Sequence, residues 1–279
     1  MISNMKLGFS TNAFSNYSLF DSIELISKIG YDGIEIVLDE PHAFLPLSKN
    51  RISEIKNSIL QRNLEVSNLN ANTVFGWSNN SSKKGFEPSL SNNDEKLRKW
   101  RIKYTKQAID LAESLNSKSI SITSGLENNK NPQKHLELFY NSLLEIGEYA
   151  EKKNVLVSIE YEPYLLIDTS EKVWNLLSND FKNIGLNLDT CHAEVNGENL
   201  SEIITKFKKK IFHTHISDCK NNVHFHLLPG KGIINFQEMY NSLNSVGYSG
   251  FLTAELYTYS DIPQEAASKA FMYLQNLTK

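Results

Sequence analysis

A chain of 279 residues with 40% apolar side chains can bury one large core, and its net charge of −3 lacks the basic surplus expected of a nucleic-acid-binding domain. No stretch approaches the ~20 consecutive apolar residues that a membrane span needs, and the start MISNMKLGFS has no basic segment leading into an apolar run. A soluble, cytoplasmic protein is expected, with Cys191 and Cys219 reduced, since two thiols are too few for a disulfide framework.

Short runs rich in apolar and β-branched residues recur along the chain. KLGFST (6–11) comes first. Leu19, Phe20, Ile23, Leu25 and Ile26 then show helical spacing, which breaks at Gly30. GIEIVLD (33–39) and LEVSNLN (64–70) follow. Residues 79–93 are rich in Ser, Asn and Lys, and a loop that long is either disordered or a lid over a site. Trp100, Tyr104, Ala108, Leu111 and Leu115 recur at four- and three-residue spacing, and Asp94 stands where it can cap that helix. SISITSG (119–125), VLVSIEY (155–161), NIGLNLDT (183–190), IFHTHISD (211–218) and FLTAELY (251–257) complete the set. The lysine run 208–210 reads as a solvated helix end.

Strands alternating with helices predict an α/β fold with a parallel sheet. Eight such units predict closure into a (β/α)8 TIM barrel, with no domain boundary across residues 1–279. The Gly-rich dinucleotide fingerprint of an open doubly wound sheet is absent.

In such a barrel the chemistry lies at the C-terminal ends of the strands. Glu160 ends the fifth run, Asp189 and then His192 end the sixth, and Glu255 ends the eighth. The seventh carries His213, His215 and Asp218. Neighbouring strands are ~4.8 Å apart, so inward groups at one level on successive strands converge. Three carboxylates and an imidazole at one point would repel each other, and a divalent cation between them resolves this. Oxygen-rich ligation with one nitrogen suits Mn²⁺, Mg²⁺ or Co²⁺, whereas Zn²⁺ more often takes sulfur or several imidazoles. Alternation places Glu162 on the same face as Glu160, one layer higher, but Pro163 ends the strand there. Glu160 is therefore the expected ligand, and Glu162 belongs to the loop or to the shell behind the ligands. Spacing alone does not rank His213 against His215. Phe14, Phe75 and Trp77 either stack on the apolar face of a ligand or pack, and Glu35 has no partner that the sequence names.

At these residues the chain resembles the xylose isomerase-like TIM barrel superfamily of sugar isomerases and epimerases. GYDGIEI (30–36) looks like that family's second strand, and IEYEP, LNLDTCH, HTHISD, LLPGKG and LTAELY look like its later strands in order. The stretch GYDGIEIVLDEPHAFLP is especially similar to the fructoselysine 3-epimerase branch, and the second half of the chain to ketose 3-epimerases of the tagatose and psicose type. The resemblance implies that Glu160, Asp189, His215 and Glu255 ligate a divalent metal, Mn²⁺ before Mg²⁺, Co²⁺ or Zn²⁺. It implies that Glu160 and Glu255 double as the acid–base pair. His192 would contact the substrate, or else orient Asp189. Tagatose-type enzymes place an arginine before the Pro-Gly turn. Here NVHFHLLPGKG offers His224 or His226 in its place, and Lys231 either reaches an anionic substituent or is solvated.

The implied activity is epimerisation or isomerisation of a ketose or sugar phosphate, by two-carboxylate proton transfer through an enediolate. The same proton abstraction serves a dehydratase of the inosose or dehydroshikimate type, and a non-catalytic sugar-binding barrel is the reading from another class. Phosphoester hydrolysis is disfavoured, because the third and fourth runs offer Asn70, Asn72 and Thr123 where the DNA-repair branch places histidines. A carbohydrate partner is expected, with no nucleic acid and no membrane, and homo-oligomers are common in the resembling family.

Overall fold

Eight of the strands form within the apolar runs bounded by turn residues, and helices fill the intervals. A computed structural model describes residues 5–73, 75–77, 85–127, 131–177 and 181–279. Strand β1 (Lys6–Ser10) leads through α1 (Leu19–Ile29) to β2 (Gly33–Val37), and α2 (Lys49–Gln61) leads to β3 (Glu65–Asn70). Then come α3 (Glu95–Leu115), β4 (Ser119–Ile122), α4 (Pro132–Lys153), β5 (Leu156–Glu160) and α5 (Ser170–Leu177). Strand β6 (Ile184–Asp189) runs directly into α6 (Thr190–Val195), and α7 (Leu200–Phe207) precedes β7 (Ile211–Ile216). The chain continues through β8 (Asp218–Lys220), β9 (Val223–Leu227), α8 (Phe236–Ser245), β10 (Phe251–Ala254) and α9 (Pro263–Leu277).

All strands but β8 and β9 close into a parallel barrel in the order β1-β10-β7-β6-β5-β4-β3-β2. Closure is visible at β1, where Gly8 stands opposite both Thr253 of β10 and Gly33 of β2. Helices cover the outside, so the strands are buried on both faces and read as near-continuous apolar runs. Local signals set the helix ends. The Ser18 hydroxyl accepts from the Asp21 N–H, and Asp94 accepts from Lys96 and Leu97, as its position predicts. Gly30 ends α1 at φ 109°, a left-handed conformation that glycine adopts without strain. Among the described residues no helix is long and apolar enough to cross a membrane. Both cysteines are buried and free.

Two expectations need correction. The seventh run stops at Ile216, and Asp218 starts a separate antiparallel hairpin of β8 and β9. Asn221 and Asn222 turn it at φ 59° and 54°, the two positive angles that a two-residue hairpin turn requires. Asp218 therefore leaves the strand-end cluster. Its carboxylate accepts from the backbone N–H groups of Cys219, Gly230, Gly232 and Ile234, and so holds the Pro-Gly-Lys-Gly turn against the hairpin. The lysine run is likewise only partly solvated: Lys208 and Lys209 are exposed, but Lys210 donates to the Phe181 carbonyl.

A Cβ at Gly232 would lie 2.0 Å from the Cys219 carbonyl oxygen and 2.3 Å from Asp218 Oδ1. Gly232→Ala should therefore cost about 1–3 kcal/mol of stability by overpacking. The exposed neighbour Lys231→Ala should cost nothing measurable. Urea unfolding midpoints of the two variants check this.

Of the 79–93 stretch, residues 79–84 lie outside the described residues. The remainder is pinned to the barrel. Ser91 donates to the Ser124 carbonyl at 2.7 Å, Ser142 donates to the Leu90 carbonyl at 2.8 Å, and Leu90 is fully buried.

Candidate active site

At the C-terminal ends of the strands lies a cavity of about 410 Å³. Glu160, Glu162, His192, His224, His226 and Glu255 line its polar side, with Phe75, Phe86 and Tyr257 among the walls. The opposite end of the barrel holds a smaller cavity of about 320 Å³, walled by Lys6, Lys56, Glu65 and Phe212. That face of such a barrel serves stability rather than chemistry.

The four strand-end groups arrive from four consecutive barrel strands. Glu160 is the last residue of β5. Asp189 ends β6 and caps α6: its Oδ1 accepts from the N–H of Cys191 at 2.7 Å and of His192 at 3.0 Å. That fixes the carboxylate and leaves Oδ2 buried with no hydrogen-bond partner among the described residues. His215 stands opposite Asp189 in the β6–β7 register and opposite Thr253 in the β7–β10 register. Glu255 follows β10, its N–H on the Ile216 carbonyl at 3.2 Å. His215 Nδ1 is 2.8 Å from Glu160 Oε1, 3.4 Å from Glu255 Oε2 and 4.0 Å from Asp189 Oδ2. One ligating atom from each of the four groups falls within 4.8 Å of the others, and all four residues are buried. The structure thus brings together Glu160, Asp189, His215 and Glu255.

This set fits a divalent cation. An orphaned carboxylate oxygen faces the centre, and the remaining charges strain against burial. Burial pushes the Glu160 carboxyl up against the pull of His215, and pushes Glu255 well above the usual carboxylate range. Burial opposes the charged imidazole of His215, but Glu255, Glu35 and Glu160 outweigh it and hold its pKa well above the ordinary value. Burial also opposes the charge on Asp189, yet His192, His226, His215 and the His192 backbone N–H hold its carboxyl at about 2.

With no cation, burial favours the protonated form of Glu160 and Glu255. Bound metal needs them deprotonated, so metal binding should release protons and its affinity should fall as pH falls. Calorimetric titration in buffers of different ionisation enthalpy checks this. Binding heats independent of the buffer would contradict the proton-rich cluster.

Glu35 is the residue that sequence reasoning missed. It lies mid-strand in β2, fully buried, and its Oε2 accepts from His215 Nε2 at 2.8 Å and from Asn68 Nδ2 at 2.7 Å. A carboxylate only accepts, so Nε2 carries a proton and Nδ1 is the atom left to face the strand-end acids. A lone acid in a strand buried on both faces was the signal; what it lacked was a partner within reach of sequence. His213 lies one pleat below, its Nε2 3.3 Å from Glu35 Oε2, and does not line the cavity.

His192 and His226 both line the cavity. Burial lowers their imidazoles to about 3 and about 4 against the pull of Asp189, so both are neutral. Lys231 is exposed in its turn and lies outside the cavity lining. Glu162, in the loop, presents its carboxyl to the cavity, raised well above the usual range by burial and by the charges of Glu160 and Asp189. Phe75 faces the cavity and is 53% exposed. Phe14 instead packs in the core on Phe9, and Trp77 packs on Trp100 with ring centroids 4.2 Å apart.

A parallel eight-stranded barrel with acids and imidazoles at its strand ends defines a class, and residues 23–277 match the model of the xylose isomerase-like TIM barrel family, to which the chain belongs. Fructoselysine 3-epimerase from Shigella flexneri is 26% identical over 273 residues, which span 95% of each chain. The crystal structure of a D-tagatose 3-epimerase-like protein superposes with a TM-score of 0.79 at 24% identity, covering 98% of this chain and 99% of that one. The IOLI protein, solved with a bound zinc atom, superposes with a TM-score of 0.78 at 22% identity and 98% coverage of both chains.

Proposed function

We propose that the chain is a divalent-metal-dependent sugar epimerase or isomerase that moves a proton on a carbon beside a ketose carbonyl. The observation that carries this reading is the pair Glu160 and Glu255. These two buried carboxyls approach His215 Nδ1 from β5 and from the end of β10, and both have raised proton affinity. A carboxyl whose proton affinity burial has raised is suited to general acid–base work. Relatives named as sugar epimerases support the choice of substrate class.

A bound cation, Mn²⁺ by the oxygen-rich donor set, would supply Lewis-acid polarisation of the sugar carbonyl. Glu160, Asp189, His215 and Glu255 would hold it. One of the two glutamates takes the proton from carbon, and the other returns a proton to the opposite face of the flattened enediolate, which inverts the centre. His192 and His226 meet the substrate on the hairpin side of the cavity, while Phe75, Phe86 and Tyr257 offer apolar surface to ring C–H groups. Lys231, outside the lining, takes no part.

Metal-loaded protein incubated in D₂O with free, phosphorylated and amino-acid-conjugated ketoses tests this. Deuterium should enter beside the carbonyl of an inverted product, read by mass after metal removal. No deuterium uptake across the panel would overturn the reading. A new ultraviolet-absorbing conjugated product would replace it with a lyase.

A further inference from the structure

The cavity of about 320 Å³ at the N-terminal ends of the strands has a floor unlike that of an ordinary barrel. The interior of such a barrel is usually filled in layers by bulky branched side chains. Here the inward positions of the basal layer are Gly8 on β1, Ser67 on β3, Ser119 on β4, His213 on β7 and Thr253 on β10. A Cβ at Gly8 would lie 2.6 Å from Thr253 Oγ1 and 3.3 Å from Ser67 Oγ, so these three share one face. Side chains this small leave the end of the barrel unplugged. Ser67, Ser119 and His213 are buried and still line the cavity.

The floor has hydrogen-bonding capacity to spare. Thr253 Oγ1 donates to Ser67 Oγ at 3.4 Å, which leaves the Ser67 proton for an acceptor. Ser119 Oγ donates to Asn68 Oδ1 at 2.8 Å, which leaves the Ser119 lone pairs for a donor. A ligand hydroxyl can serve as either. Leu64, Leu115, Phe212 and Phe251 supply apolar wall.

Charge at the mouth is positive. Lys6, Lys56 and Lys118 stand against one carboxylate, Glu65, which Lys6 already pairs. Lys56 rests on a neutral partner, the Ser114 carbonyl oxygen at 2.8 Å, and Lys118 is exposed. The upper cavity is the reverse. Asp39, Glu40, Glu160, Glu162 and Glu255 line it, with no lysine or arginine among the described residues. An anion is therefore repelled at the upper end and attracted at the lower one.

We propose that the basal cavity is a binding site for a small hydroxylated anion, a sugar phosphate or a sugar acid. Lys56 and Lys118 meet its charge at the mouth, and Ser67 and Ser119 meet its hydroxyls at the floor. The volume lies at the lower end of the ~300–1,000 Å³ usual for small-molecule pockets. The role is binding alone, and it does not depend on the strand-end set turning over a sugar.

Calorimetric titration with glucose 6-phosphate, gluconate and uncharged glucose tests this. The anions should bind at least about tenfold more tightly than glucose, and high salt should shrink the difference by screening the lysines. Lys56→Ala combined with Lys118→Ala should weaken anion binding about tenfold, the joint worth of two partly exposed ion pairs. Neither lysine is buried, so the double variant should fold. Ser67→Ala, checked by circular dichroism, is the second variant and should also bind more weakly. Lysine acetylation read by peptide mass spectrometry locates the ligand: glucose 6-phosphate should protect Lys56 and Lys118 and leave the exposed Lys231 unprotected. Binding of one anion alone would support the site and fix its head group. Failure of both anions to bind, affinity no better than that of glucose, or binding unchanged in the double variant would overturn it. The proposed epimerase would stand in each case, because none of these residues lines the upper cavity.

Discussion

Glu160→Gln and Glu255→Gln, each with metal bound, are expected to lose epimerisation by at least about 10²–10⁴-fold, the usual worth of a positioned general acid or base. Glutamine keeps the side-chain length and one coordinating oxygen but moves no proton. In the proposed mechanism the two glutamates serve opposite faces of the intermediate, so each variant should fail differently from a protein that has merely lost its metal. The surviving carboxyl still exchanges the proton on its own face. Glu160→Gln should therefore wash deuterium into one epimer without inverting it, and Glu255→Gln should do the same for the other epimer. Metal content measured on the same samples separates loss of the base from loss of the ion. If either variant kept near-wild-type epimerisation with metal bound, the pair would not be the two bases.

Metal affinity should drop about 10–100-fold in Glu35→Ala, as expected when the hydrogen-bond partner of a ligating histidine is removed. Glu35 does not line the cavity. It acts through His215, whose Nε2 proton it accepts. Burial opposes its charge, but His215 and His213 outweigh burial and hold its carboxyl well below the usual range, so it stays ionised and keeps that proton in place. Without it, His215 is free to exchange tautomers and to turn Nδ1 away. Glu35→Gln retains an accepting oxygen and loses only the charge, so it should recover part of the affinity. Calorimetric titration of both variants with Mn²⁺ reads this. Thermal melting runs alongside, because removing one member of a buried charged pair costs about 3–5 kcal/mol. Unchanged affinity in folded Glu35→Ala would mean that packing alone orients His215.

The strands were legible because a strand buried on both faces must be apolar along its length, and turn residues bound each run. Asp94 was legible as a helix cap for an equally local reason. Glu160, Asp189 and Glu255 stood out because an acid at the end of such a strand needs a partner. The β8–β9 hairpin was missed, although Asn221-Asn222 is a two-residue turn signal. The apolar and histidine run before it carries into Asp218 without a break.

What the sequence determined by itself is which residues lie in strands, which face each takes, and which acids come at the strand ends, since all of these follow from local periodicity. Tertiary structure decided the level. Alternation puts His213 and His215 on one face, and only the β6–β7 register sets His215 beside Asp189 and His213 beside Asn187. Residues 180 apart, Glu35 and His215, meet because the barrel closes. His192, His224 and His226 converge on the cavity because a hairpin folds back over α6, with His192 on the Tyr161 carbonyl and His226 on the Glu255 carbonyl. Contacts across a closed sheet depend on stagger and curvature, which no window of neighbouring residues records.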